Sequence, residues 1–264
     1  MTRTPLLLTV FHVLFAVFML APLVTVVLVA FTDKGYISLP FDGASWRWFR
    51  AILDNPDFVA AFERSLGLAA CAATLAAVLA VPAGMAIAWH RFPGREALLG
   101  LLLSPLMVPP VVLGIALLRF LTQIGGSGTM TGLVAAHTVV VMPYVLRLVV
   151  AAATGFDRSV AHAAESLGAS PLTVFRRIEL PLILPGVAGG WMIAFITSFD
   201  ELTLTVFVAS PSTQTLPVKM YAYIANTIDP LLASISTVLL VLTLALMVVL
   251  ERLYGLDRVL GGKT

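Results

Sequence analysis

The chain has 264 residues, of which 59% are hydrophobic and only 11% charged, with a formal net charge of +2. A soluble domain carries about 25% charged residues, so an ordinary water-soluble fold is excluded, and the charge is too small to suggest nucleic acid as a partner. The single Cys71 has no disulfide partner, and His12, His90, His137 and His162 are too scattered for a metal-ligand spacing.

A membrane helix needs about 20 apolar residues. Residues 6–31 supply the first span, preceded by Arg3. Its apolar run exceeds a signal-peptide core of about 7–15 residues, so we read a retained helix with a cytoplasmic N-terminus. Residues 32–62 are polar, and Trp46, Trp48 and Phe49 suit either a short interfacial helix or a plain loop. The second span is expected over 65–89, kinked at Pro82, and the third over 97–121. Pro105, Pro109 and Pro110 must break the third ladder, and such backbone is tolerated only inside protein or along a cavity, so a bundle-interior position is expected. The fourth span covers 130–155 with an interruption at Pro143, the fifth 186–208, and the sixth 231–253.

Six spans with the N-terminus inside leave 32–64, 122–129 and 209–230 outside. Five Lys and Arg residues fall in those segments, eight fall in the shorter inside segments with Arg252 at the inner end of the sixth span, and Arg119 and Arg147 lie within other spans. This bias puts the segment after Phe156 in the cytoplasm.

That segment, residues 157–185, is the one long stretch patterned for water. Asp157 is a plausible N-cap for a helix with Val160, Ala163, Ala164 and Leu167 at helical spacing. Gly168 can close it in the left-handed conformation. Ser170 then caps a second helix with Pro171 at its first position, expected to run to Pro181. Ala163, Ala164, Gly168, Ile178, Leu180 and Pro181 fall in the register of the EAA loop, and the segment resembles the coupling loop of ABC importer permeases. His162 stands where that family usually carries Glu. The resemblance assigns ATPase coupling to His162, Ala163, Ala164, Gly168, Ala169, Ser170 and Pro171.

Asp200 and Glu201 are the most unusual pair. They are expected in the outer half of the fifth span, where a carboxylate is costly and marks a functional site by default. Ser198, Glu201 and Thr205 share a helical face, beside a stripe of Trp191, Phe195 and Phe199. Carboxylates beside aromatic rings suit an organic cation. Asp200, Glu201, Trp191 and Ser198 are therefore candidate substrate-pathway residues. The alternative is a pair that caps a helix break or meets Arg119 or Arg147.

Ser198-Phe199-Asp200-Glu201, Phe207-Val208, Leu216–Tyr221 and the proline-rich stretch 105–115 resemble PotC-type permease subunits of spermidine/putrescine importers. The resemblance implies an all-α, six-helix type I importer permease, without catalysis of its own, in a bacterial inner membrane. Both termini would be cytoplasmic. Its partners would be membrane lipid, a homologous second permease, two ATPase subunits that hold ATP and Mg, and a periplasmic solute-binding protein. A polyamine is the implied solute, with aminoethylphosphonate the alternative. A stand-alone secondary transporter would have no use for a partner-docking loop, and a membrane enzyme would need clustered catalytic groups that the sequence lacks. The close Gly261-Gly262-Lys263-Thr264 mimics a phosphate-binding loop, but Asp257 stands where that motif needs Gly, and a helix would have to follow.

Overall fold

The structure, a computed structural model, describes residues 6–40 and 43–254. Arg3, Arg258, Lys263 and the 261–264 close lie outside the described residues. Every regular element among those described is helical. The chain divides into two compact units, Met1–Ala60 with Met220–Leu253 and a second centred on Ala61–Lys219.

In the first unit, α1 (Leu6–Ala30) buries only Val29 and Ala30, so nearly all of its apolar surface is left for lipid or another chain. The segment after it is not a plain loop. A short helix, α2 (Arg47–Leu53), forms there, and Phe31, Trp46 and Phe49 cluster with ring centres 5.0–5.1 Å apart. The indole N–H of Trp48 donates to the Lys34 carbonyl at 3.1 Å.

The next helix, α3 (Pro56–Trp89), starts nine residues before the expected span and is continuous for 34 residues with Pro82 inside it. A proline forfeits one ladder bond, and the flanking turns carry the helix past it. Alanines 69, 72, 73, 76 and 80 are fully buried at helical spacing. They form a small-residue face that lets α3 pack closely.

The third expected span is two helices, not one. Arg95–Leu103 (α4) with a 3-10 turn at Ser104–Leu106 meets α5 (Pro110–Gln123) at an angle of 101°. The bend falls on the prolines, as their missing donors require. It is not interior to this chain, however, because Met107 is 86% exposed and Pro109 and Pro110 are exposed.

Met130–Thr154 (α6) is continuous through Pro143, without the expected interruption. Two short helices follow in the patterned loop, α7 (Ser159–Ser166) and α8 (Pro171–Val174). The second does not stop at Pro181. A π-turn over Phe175–Glu179 leads directly into α9 (Leu180–Phe199), making one helical stretch from Pro171 to Phe199. The widened turn closes with Leu180 N–H on the Phe175 carbonyl, directly before Pro181, so that proline removes one bond without ending the helix. The fifth expected span, 186–208, is thus displaced toward the loop.

The chain breaks after Phe199 and resumes as α10 (Thr205–Val208), then α11 (Leu216–Ile224) and α12 (Leu231–Tyr254). The Asp229 carboxylate accepts the Leu231 N–H at 3.0 Å at the start of α12. Four helices among the described residues are long and apolar enough to cross a membrane, or five if the bent α4–α5 pair is one span.

In the second unit the most extensive pairing is α6 with α9. Gly186 and Gly190 make it possible. A Cβ at Gly186 would lie 2.6 Å from the Ala152 Cβ, and one at Gly190 would lie 2.8 Å from the Val145 Cα.

Candidate functional site

Two regions carry the candidate residues, and the Pro171–Phe199 helix joins them.

At the loop end, Asp157 is one residue outside the N-cap position held by Arg158, yet it still satisfies the helix start. Its carboxylate accepts the Ser159 N–H and hydroxyl, both at 2.9 Å. Those two bonds hold the Asp157 carboxyl below its usual range. At the far end of α7, Ala169 N–H reaches the Ala164 carbonyl at 3.0 Å, and Gly168 sits at φ +86°. This is the left-handed helix stop that the sequence predicts. Ser170 accepts the Thr173 N–H, with Pro171 in the first turn.

The result is a tight corner with Leu167 and Leu172 89% and 64% exposed and Gly168 open to solvent. Ala163 is exposed, Ala164 and Ala169 are half-buried, and Ser170 and Pro171 are exposed. His162 is exposed, and its Nδ1 lies 3.2 Å from Glu165 Oε2. Exposed apolar groups around small residues form a surface suited to a protein partner.

The corner is fixed to the membrane helices at its root. Ala161 and Val174 are buried. Trp89, at the end of α3, donates to the Ala153 carbonyl at 2.9 Å, and the Arg158 guanidinium lies 4.9 Å over its ring. An open cavity of about 730 Å³ lies beside this anchor, lined by Val81, Met85, Trp89, Arg158, Phe175 and Glu179 among others.

At the other end, Asp200 and Glu201 do not continue the α9 helix. They form its stop, and the two carboxylates diverge. The Glu201 carboxylate turns onto α10, accepting Leu204 N–H at 3.0 and 3.1 Å, Thr205 N–H at 3.0 Å and the Thr205 hydroxyl at 2.8 Å. It satisfies the orphan donors of that helix. Asp200 is exposed, and among the described residues no hydrogen bond or ion pair reaches its carboxylate. Neither Arg119 nor Arg147 meets either acid among those residues.

Trp191, Phe195 and Phe199 stack one above another, with ring centres 5.4 and 6.3 Å apart and planes within 20° of parallel. The Trp191 indole is oriented by donating to the Thr74 hydroxyl at 3.0 Å. This ladder of rings climbs α9 and ends at Phe199, the residue before Asp200. The C-terminus of α9 points the negative end of its dipole to the same place. An exposed carboxylate, aromatic faces and a helix C-terminus all favour a cation.

Ser198 is 2% exposed and turned inward, with Oγ 2.8 Å from His137 Nδ1. His137 itself, 1% exposed, places Nε2 3.0 Å from Thr205 Oγ1. Ser198, Glu201 and Thr205 therefore do meet, through an imidazole and a helix cap rather than along one helical face. Sequence reasoning passed over His137. The signal available was a lone ionisable side chain in an apolar span, which is a functional hypothesis by default.

Comparison with known proteins places this architecture. Residues 80–256 match the family described as binding-protein-dependent transport system inner membrane component. The chain belongs to that family, and is thus a multi-pass inner-membrane protein. The spermidine/putrescine transport system permease protein PotC of Haemophilus influenzae is 33% identical over 227 residues, covering 86% of this chain and 88% of that protein. The putrescine transport system permease protein PotI of Escherichia coli K12 is 31% identical over 231 residues, covering 84% and 82%. Among solved structures, a bacterial ABC transporter involved in the import of the acidic polysaccharide alginate superposes with a TM-score of 0.76 at 14% identity, covering 94% of this chain and 95% of that one. That likeness establishes the shared ABC importer permease fold.

Proposed function

We propose that this chain is one of two permease subunits of an ATP-driven importer for a polyamine such as putrescine or spermidine. The observation that carries the substrate class is the exposed Asp200 carboxylate, without a hydrogen bond or ion pair among the described residues, in the residue that follows the Trp191–Phe195–Phe199 ladder. The names of the relatives, spermidine/putrescine and putrescine permeases, agree with that chemistry. In this reading Asp200 and Trp191 touch the passing cation, while Glu201 and Ser198 hold the break that presents them.

The chain crosses the membrane six times, with α12 as the sixth span and both termini in the cytoplasm. The loop over 157–185 docks into a groove of an ATPase subunit through His162–Ala164 and Gly168–Pro171. ATP and Mg bind on the ATPase pair. When that pair closes, the loop is displaced, and the 29 residues from Pro171 to Phe199 move with it as one stretch about 40 Å long. A push at the loop is delivered at Asp200. The exposed bend at Met107–Pro110 is covered by the second permease or lines the pathway, because irregular backbone at membrane depth needs protein or water around it. Segments 32–64 and 209–230 face the periplasm and meet the solute-binding protein.

The test is to co-purify the chain with its ATPase, second permease and binding protein, and to measure ATP hydrolysis with putrescine, spermidine and aminoethylphosphonate. Stimulation by the polyamines supports the reading. Stimulation by aminoethylphosphonate alone keeps the importer and replaces its substrate.

A further inference from the structure

The helix break beside Asp200 is bridged from both sides by one side chain of another helix. His137, on α6, reaches Ser198 in the last turn of α9 and Thr205 at the first position of α10. The two contacts lie 61 and 68 residues away in sequence and only seven apart from each other.

The direction of each bond follows from the groups involved. Thr205 Oγ1 lies 2.9 Å from the Glu201 carbonyl oxygen and 2.8 Å from its Oε2, and both of these only accept. The hydroxyl proton of Thr205 is therefore committed to Glu201, and its oxygen accepts from His137 Nε2–H. A neutral imidazole then offers Nδ1 as the acceptor for the Ser198 hydroxyl. The chain of donors runs from Ser198 to His137 to Thr205 to Glu201, and Glu201 closes it by capping the Leu204 and Thr205 amides. Ser198, His137 and Thr205 are all buried, so an unmade bond here has no water to replace it.

The break is also held from a third side. A Cβ at Gly114 of α5 would lie 3.2 Å from the Leu204 Cα and 2.9 Å from the Phe207 ring, so the backbone at Leu204, which leads into α10, sits against a bare glycine. Only Asp200, among the polar groups of the break described above, is left outside this lattice.

We infer that His137 is a positioning residue: it clamps the two sides of the Phe199–Thr205 break and so fixes the direction in which Asp200 presents its carboxylate. The inference rests on the reading of Asp200 as the cation contact. A rigid break also makes the Pro171–Phe199 stretch an effective lever, because movement at the loop is delivered to Asp200 rather than lost in a hinge.

The experiment uses the assembled complex in proteoliposomes. Cys71 is replaced by Ser, and spin labels are placed at the exposed positions Ile193 and Val206, on either side of the break. Distance distributions between them are recorded, and uptake of radiolabelled putrescine is measured in unlabelled counterparts. In His137→Leu the distribution broadens, and the KM for putrescine rises about tenfold while the maximal rate falls less than about threefold. His137→Gln restores both, because its side-chain amide can donate an N–H to Thr205 and accept from Ser198 through its oxygen, two atoms nearly as far apart as the imidazole nitrogens. Ser198→Ala, which releases one side only, gives an intermediate effect and serves if the leucine variant does not assemble.

An unchanged distance distribution in these variants overturns the clamp. A broadened distribution with wild-type KM overturns the positioning role. If Asp200→Asn itself leaves KM unchanged, the cation reading of Asp200 is what fails, and the clamp is judged on the distances alone.

Discussion

The Glu201 carboxylate lies 2.8 Å from the Thr205 hydroxyl and accepts the Thr205 amide at 3.0 Å, so that it caps the helix four residues ahead of it. Adjacent acids thus have unlike surroundings. Glu201 is spent on the backbone, and Asp200 is left open.

Removing each acid separates the two roles. Glu201→Ala loses a cap and lowers thermal stability by about 1 kcal/mol, measured by melting of the detergent-solubilised protein. Asp200→Asn leaves the stability within about 0.5 kcal/mol of wild type, as befits a carboxylate with no hydrogen bond or ion pair among the described residues. A larger loss in Asp200→Asn than in Glu201→Ala would reverse the assignment.

Transport separates them in the opposite sense. Asp200→Asn raises the KM for putrescine about tenfold, the scale of one lost charge contact at a partly exposed site. Asp200→Glu retains most of the affinity. Wild-type KM in Asp200→Asn would show that the carboxylate is not a cation contact.

The α6–α9 pairing depends on a bare Gly186. Gly186→Ala places its Cβ 2.8 Å from the Leu148 carbonyl oxygen as well as against Ala152, so two backbones must separate. The expected cost is about 1–3 kcal/mol by thermal melting. Gly35→Ala, with nothing within 4 Å of the added carbon, is the control and is expected to be near neutral.

At the docking corner, Gly168→Asp forces a residue with a Cβ into φ +86° and adds charge between Leu167 and Leu172. Membrane insertion persists and uptake is lost, read by membrane fractionation beside transport. Normal uptake in this variant would remove the coupling role of the corner.

Much of this was legible in the amino-acid sequence because it is local. The Gly168 stop and the Ser170–Pro171 start each need only residues within one turn, and the aromatic stripe needs only the helical period. What escaped depends on partners far away or on backbone detail. Hydropathy marks where lipid begins but not where a helix ends, so α3 begins at Pro56 rather than near Ser65. Pro181 reads as a terminator until a π-turn is placed before it. His137 carries no local pattern, since its partners are more than 60 residues distant. Asp200 and Glu201 are indistinguishable as a dipeptide, and only the break after Phe199 sends them apart.

The central claim is that the corner at Gly168 passes ATPase movement to a cation pathway ending at Asp200. It is tested most directly by ATP-dependent uptake of radiolabelled putrescine into proteoliposomes holding the full complex and its binding protein. Saturable uptake that requires ATP hydrolysis, and is lost in Gly168→Asp, is the predicted result. An assembled complex that hydrolyses ATP but accumulates no putrescine or spermidine, or uptake that proceeds without the ATPase, would contradict it.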